Sequence, residues 1–242
     1  MADHRTYIGG ATRFYVIGDI HGRADLLDLI VEKIGLDMRQ YPGPACLTIT
    51  LGDYIDRGPD SRGVLDRLAR NPFPTPYVAL KGNHEELFKS FMQDPSSGQE
   101  WRRLGGLETI HSYRVPVSAL MTGQGFGEAC KALKLAIPKE HLRFLASLHT
   151  SLTIGKFFLC HAGVRPGVSL ERQKADDLLW IREDFLTSTM DFGKIVVHGH
   201  TPNEWPEVRP NRINIDTGAF ATGRLTCVVV EGERAPRFLF TA

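Results

Sequence analysis

Five short apolar runs, each closing on a turn that carries Gly together with Asp, Asn or His, constrain this chain more than any other feature. Residues 14–17 lead into Gly18-Asp19-Ile20-His21-Gly22, and residues 46–51 into Gly52-Asp53-Tyr54-Ile55-Asp56-Arg57-Gly58. Residues 77–80 lead into Gly82-Asn83-His84-Glu85, 152–159 into Cys160-His161-Ala162-Gly163, and 194–197 into His198-Gly199-His200-Thr201. Runs this short, continuous and rich in β-branched and aromatic residues predict strands buried on both faces.

The segments between the runs predict how these strands connect. From 24 to 34, Leu26, Leu27, Leu29, Ile30, Val31 and Ile34 recur near helical spacing, and Gly35 is expected to stop the helix. Residues 61–69 repeat the pattern with Val64, Leu65 and Leu68, ended by Asn71-Pro72. Two βαβ crossovers follow, which puts the polar turns at strand carboxyl ends, where open α/β sheets bind their ligands. Residues 86–149 read differently: helices are expected near 86–93, 107–112, 128–135 and 139–148, forming a helical insertion beside the active face. Strands at 212–215, 225–230 and 236–240 make the second half β-dominated. The reading is one α/β domain over residues 1–242 with the insertion inside it.

Composition narrows the class. With 42% hydrophobic residues in 242, a substantial core can be buried without staples. Lys and Arg total 29 against 28 Asp and Glu, so a net charge of +1 offers no general attraction to nucleic acid or an anionic membrane, and neither is expected as a partner. Cys46, Cys130, Cys160 and Cys227 form no C-x-x-C and read as small buried hydrophobes in a reducing cytosol. Met1–Arg5 carries no basic segment leading into an apolar stretch, and a soluble cytoplasmic protein is expected.

The turns offer a coherent set of oxygen and imidazole ligands. Asp19 and His21 lie two apart in extended chain, on one side of it, and can share a cation. Asp53 follows its strand in the same position and can bridge two cations through its two oxygens. Asn83, His161 and His200 complete a first set of Asp19, His21 and Asp53 and a second of Asp53, Asn83, His161 and His200. Lacking a thiolate, these sets suit two divalent ions in an open catalytic centre, manganese first, with iron or zinc as alternatives. Such a pair can deprotonate a bridging water at neutral pH and clamp both ends of an in-line displacement at phosphorus. His84 directly follows a ligand, and Asp56 can hold it protonated for donation to a leaving alkoxide. Arg57, Arg182 and Arg165 lie in or just beyond the motifs, where guanidinium forks suit phosphate oxygens, and Asn83 can share that contact. His198 is open between a ligand and a support behind the ligands.

Two further patterns are rejected. Cys160 and Arg165 are spaced C-x4-R, not the C-x5-R of a cysteine phosphatase loop. Gly123-Gln124-Gly125-Phe126-Gly127 has no preceding strand and no following Lys-Ser/Thr.

Taken together, GDIHG, GDYIDRGPDS, GNHE, CHAG and GHTP in this order resemble the calcineurin-like metallophosphoesterases, over residues 19 to 218. The likeness is closest to the branch of bacterial serine/threonine protein phosphatases and diadenosine-tetraphosphatase-like enzymes. The resemblance implies a central β-sandwich of mixed sheets flanked by helices, with a dinuclear centre at the strand ends. It implies metal ligands at Asp19, His21, Asp53, Asn83, His161 and His200, an acid pair at His84 and Asp56, and phosphate contacts at Arg57 and Arg182. Asp216-Thr217-Gly218-Ala219 looks like the family's closing turn. Asp56 is kept, as in the protein phosphatases, which favours phosphoserine or phosphothreonine as substrate. The rival is a nucleotide or dinucleoside polyphosphate, needing an adenine platform such as Trp101, Tyr113 or Phe126 turned toward the metals. Leu104 stands where bacterial relatives have Asn in a W…NGG…T segment.

Overall fold

The computed structural model describes residues 13–242; the features read at Met1–Arg5 lie outside the described residues. Ten strands form two five-stranded sheets. The first has the order β10-β9-β1-β2-β3, from β1 (Arg13–Ile17), β2 (Cys46–Thr50), β3 (Tyr77–Ala79), β9 (Thr226–Glu231) and β10 (Arg237–Phe240). The second has the order β4-β5-β6-β8-β7, from β4 (Ser151–Ile154), β5 (Phe157–Cys160), β6 (Ile195–His198), β7 (Glu207–Val208) and β8 (Arg212–Asn214). In each sheet three consecutive strands are parallel, β1-β2-β3 and β5-β6-β8, and antiparallel strands complete it.

Period-two alternation explains why the runs are apolar throughout. Val16, Ile49, Val78, Phe157, Leu159, Val197, Ile213 and Val228 point between the sheets and make the sandwich core. Their neighbours Tyr15 and Ile17 face outward to a helical layer, as Phe158, Cys160 and Val196 do on the other side. The first helical layer comprises α1 (Ala24–Gln40), α2 (Ser61–Leu68) and the insertion: α3 (Asn83–Gln93), α4 (Gly98–Arg103), α5 (Gly106–Ser112), α6 (Ser118–Met121), α7 (Phe126–Ala136) and α8 (Lys139–Ala146). Insertion residues Phe91, Trp101, Ile110, Leu133 and Phe144 share one apolar cluster with Leu27 and Ile30 of α1. The chain returns to the first sheet at His149, which pairs beside Leu80. The second sheet is covered by α9 (Ala175–Trp180) and α10 (Glu183–Leu186), and α11 (Ala219–Thr222) closes the site edge.

Three details differ from the sequence reading. Helix α1 does not stop at Gly35 but runs to Gln40. Asp37 holds its last turn to the sheet by accepting from Tyr15 Oη at 2.8 Å and pairing with Arg237. The run 152–159 is two strands, because Gly155-Lys156 forms a two-residue turn and folds β4 back on β5. The insertion also contains α4 and α6, which apolar spacing did not reveal.

Candidate metal centre

The parallel strands of both sheets end on one edge of the sandwich, and their turns converge there. Asp19 and His21 come from β1, Asp53 from β2, Asn83 and His84 from the start of α3 after β3, His161 from β5 and His200 from β6. All are buried. Two groups offer ligand atoms within 4.8 Å of one another, Asp53 with His161 and His200, and Asp53 with His21 and His84. Asp53 is common to both: its Oδ1 lies 3.4 Å from His161 Nε2 and its Oδ2 3.4 Å from His21 Nε2. Asn83 Oδ1 lies 2.9 Å from His161 Nε2 and 3.0 Å from His200 Nδ1.

The backbone is bent to achieve this. Among the described residues, seven non-glycine residues have positive φ, and five are His21, Asp53, Asp56, Arg57 and His200. Such conformations cost of order 1–3 kcal/mol each and concentrate where surrounding structure enforces them. The motif glycines allow close approach: a Cβ on Gly82 would lie 2.1 Å from Asp53 Oδ1, and one on Gly199 2.1 Å from Asp19 Oδ1.

The donor set fits divalent cations. His21 Nδ1 donates to Ile55 O at 2.8 Å and His161 Nδ1 to Leu51 O at 3.1 Å, which leaves both Nε2 lone pairs facing the cluster. His21 Nε2 and Asp19 Oδ1 are buried with no hydrogen-bond partner, a costly state for polar atoms that a cation would relieve. Burial lowers the pKa of His21 to about 3 and also lowers those of His161 and His200, so the imidazoles are neutral at physiological pH. The carboxyls are crowded: burial and the nearby Asp216 and Asp53 push Asp19 well up, and burial raises Asp216 to about 6. His200 needs a tautomer change to bind through Nδ1, because Arg182 Nε approaches its Nε2 at 3.2 Å.

Beside the cluster stand His84 and Asp56. His84 Nδ1 donates to Asp56 Oδ2 at 2.7 Å. Burial alone would depress His84, but Asp53 and the hydrogen-bonded Asp56 outweigh it and raise its pKa. Asp56 also accepts from Trp101 Nε1 at 2.7 Å and Thr109 Oγ1 at 2.6 Å. Arg57 Nη2 lies 3.1 Å from His84 Nε2, and Arg57 N donates to Gly105 O at 3.1 Å.

Of the residues singled out from sequence, Asp19, His21, Asp53, Asn83, His161 and His200 are brought together, with His84, Asp56, Arg57 and Arg182 on the rim. Arg165 is not: its exposed guanidinium is paired with Asp177 and Asp184. His198 is fully buried, its Nδ1 donating to Gly199 O at 3.1 Å and its ring against Phe185 at 5.0 Å, behind the ligands. Cys160 is fully buried, its Sγ donating to Gly163 O, and burial raises the thiol pKa, so no nucleophile is offered there. Trp101 and Tyr113 are buried and offer no open face as a platform, and Phe126 packs at Phe91. The reading missed Glu85, whose carboxylate accepts from Asp53 N, Tyr54 N and Gly82 N at 2.8–2.9 Å and ties the second turn to the third. Its place three residues after Gly82 is the signal that could have found it. Trp101 and Thr109 as supports of Asp56 left no such local signal.

Two packed mixed sheets with a buried, thiolate-free cluster of carboxylate, amide and imidazole at the ends of their parallel strands define a metal-dependent hydrolase. The family is shown by sequence as well: the calcineurin-like phosphoesterase model matches residues 12–227, and the chain belongs to that family. It is 28% identical to the asymmetrical bis(5'-nucleosyl)-tetraphosphatase PrpE of Anoxybacillus flavithermus, with 88% of each chain covered. It is also 28% identical to serine/threonine-protein phosphatase 2 of Escherichia coli, covering 88% of this chain and 90% of that one. A crystal structure of a putative diadenosine tetraphosphatase shares the fold at a TM-score of 0.61 and 21% identity, over 94% of this chain and 93% of that chain.

Proposed function

We propose that this metallophosphoesterase hydrolyses phosphate monoesters with poor leaving groups, phosphoserine and phosphothreonine first among them. The observation that carries the reading is His84, raised in pKa and fixed by Asp56 at 2.7 Å beside the ligand cluster. A serine or threonine alkoxide needs a proton to depart, and an acid so placed supplies it. Asp19, His21 and Asp53 would hold one divalent ion and Asp53, Asn83, His161 and His200 a second, with manganese, iron or zinc suited to the donors. When bound, such ions supply Lewis acidity and a water made acidic near neutral pH. The chain's own residues do the rest. Arg57 beside His84 and Arg182 beside His200 hold phosphate oxygens from two sides, and Asn83 can add its amide. Water attacks phosphorus, the P–O bond to the side-chain oxygen breaks, and His84 Nε2 gives that oxygen its proton, to be reprotonated from the spent water. Trp101 and Thr109 keep Asp56 aimed at His84 Nδ1.

A second reading, hydrolysis of a nucleotide or dinucleoside polyphosphate, is favoured by the similarity to PrpE and by Trp180. Its indole is 40% exposed and nearly perpendicular to the His200 ring, centroids 6.3 Å apart, which puts apolar surface beside the centre on which a base could stack. Steady-state rates with manganese on a phosphoserine peptide, a phosphotyrosine peptide and diadenosine tetraphosphate, for the native chain and Trp180→Ala, test both. The first reading expects the phosphoserine peptide to have the highest kcat/KM. A preference for diadenosine tetraphosphate that collapses in Trp180→Ala overturns it in favour of the second. Four free cysteines support a cytoplasmic setting; no helix among the described residues is long and apolar enough to cross a membrane.

A further inference from the structure

Phe220 is the centre of a small assembly that none of the motif residues accounts for. It sits on α11, and the helix is pinned in place: Arg23 Nη1 donates to Ala219 O at 3.0 Å, and Thr222 Oγ1 donates to Thr217 O at 2.8 Å. The Arg57 guanidinium lies over the Phe220 ring with its carbon 5.0 Å from the centroid. The same ring stands nearly perpendicular to His21, centroids 5.4 Å apart. Arg57 is thus held by Gly105 O at its backbone nitrogen and by Phe220 at the face of its guanidinium; the contact of Nη2 with His84 Nε2 at 3.1 Å needs that nitrogen unprotonated, so it does not hold the guanidinium while His84 carries the Nε2 proton. Its own backbone sits at φ 66, where a side chain does not settle unaided.

We infer that Phe220 is a positioning residue that holds the Arg57 guanidinium flat and aimed at the substrate phosphate through a cation–π contact. The inference rests on Arg57 being a phosphate ligand. An arginine with four side-chain torsions loses rotamer freedom when it grips phosphate, and an aromatic face that already restrains it makes that loss smaller on binding. The ring quadrupole attracts the cation without offering an acceptor, so the N–H groups at the guanidinium edge stay available for phosphate oxygens. A carboxylate in the same place would neutralise the charge and compete for those hydrogens. Phe220 therefore acts on phosphate affinity, through Arg57, and leaves proton delivery by His84 to Asp56.

The test is inhibition by inorganic phosphate, measured with metal content, in Phe220→Leu, Phe220→Tyr, Arg57→Ala and the double variant Phe220→Leu/Arg57→Ala. Leu keeps an apolar side chain but has no quadrupole, and Tyr keeps the ring. The expected result is a roughly three- to tenfold weaker phosphate inhibition in Phe220→Leu, the size of a partly exposed cation–π contact. Tyr should restore the native value, and Leu should add nothing once Arg57 is Ala, because the two act as one unit. If Leu and Tyr behave alike, or the Leu effect persists in full on the Arg57→Ala background, Phe220 does not act through Arg57 and the inference falls. Loss of bound metal in Phe220→Leu would instead make the residue a support for His21. If Arg57→Ala itself leaves phosphate inhibition unchanged, the phosphate role of Arg57 fails first and the assignment of Phe220 fails with it.

Discussion

The buried carboxylate–imidazole cluster and the His84–Asp56 pair sit side by side yet are assembled from different parts of the molecule. Asp19, His21, Asp53, His161 and His200 ride on turns that leave the buried strands directly, so the sandwich core sets their positions. His84 and Asp56 also begin on such turns, but their alignment is finished from outside the sandwich, by Trp101 and Thr109 of the helical insertion, 45 and 53 residues beyond Asp56. Gly105 of the same segment fixes Arg57. On the proposed function, cation binding would thereby be a property of the sheets, and aiming the proton and one phosphate ligand a property of the insertion. A common centre can in this way be kept while the part that faces substrate changes.

Breaking the sheet-built half should have the largest effect. Asp53→Asn removes charge from the one residue common to both ligand groups, and metal content and hydrolysis should fall together, by at least ~10³-fold in rate, beyond the 10–100-fold typical of groups that only orient a ligand. Elemental analysis alongside aryl phosphate kinetics checks this; an active Asp53→Asn with full metal would contradict it. Breaking the insertion-built half should be milder and should spare the metal. Trp101→Phe deletes one hydrogen bond to a charged acceptor, a loss of about 1.5–3 kcal/mol, or about 10–100-fold in kcat on a phosphoserine peptide with unchanged cation binding. A loss of cations in that variant would erase the distinction between the two halves.

The titrating groups give a subtler comparison, read in metal-stripped protein. His21 and His198, each lowered to about 3 by burial, bind fewer protons folded than unfolded below about pH 6.5, so stability there grows as pH rises. Glu85, raised to about 7 by burial and Asp53, and His84, raised by its carboxylate neighbours against burial, hold protons that the unfolded chain has released. The Glu85 contribution is lost between about pH 4.5 and 7 and that of His84 only above about pH 6.5, where the buried histidines no longer add stability, so the net slope turns downward there. Calorimetry should show the melting temperature of stripped protein falling by a few degrees toward pH 8, and added manganese removing the fall. A continued rise without metal would contradict the crowding of carboxyls at the cluster. The smallest effect belongs to Cys160→Ser: with the thiol buried and raised in pKa, the rate should stay within about twofold of native. A folded but dead Cys160→Ser would reopen a cysteine mechanism.

The same division explains what could be read in advance. The strands were legible because burial on both faces leaves a continuous apolar signature, and the ligands because each follows its strand by one to four residues. Arg165 misled for a related reason: four residues past His161 the chain has already turned outward, and Asp177 and Asp184 claim the guanidinium. The end of α1 was misjudged because Asp37, a polar residue with no apolar signal, anchors the last turn through Tyr15 and Arg237. Trp101 stood among the aromatic residues that a rival nucleotide substrate would need as a platform, because an indole's burial depends on partners far along the chain. Only the folded insertion shows that its N–H is spent on Asp56.

On the proposed function His84 moves a proton and does not hold metal, although its Nε2 lies 3.9 Å from Asp53 Oδ2 and could be counted among the ligands. The direct measurement is the rate of His84→Ala on a phosphoserine peptide and on an aryl phosphate, with cation content determined on the same samples. Proton delivery by His84 predicts native cation content, a loss of about 10²–10⁴-fold on the peptide and a clearly smaller loss on the aryl phosphate, whose leaving group needs less protonation. Equal losses on both substrates, or loss of a cation, would contradict it.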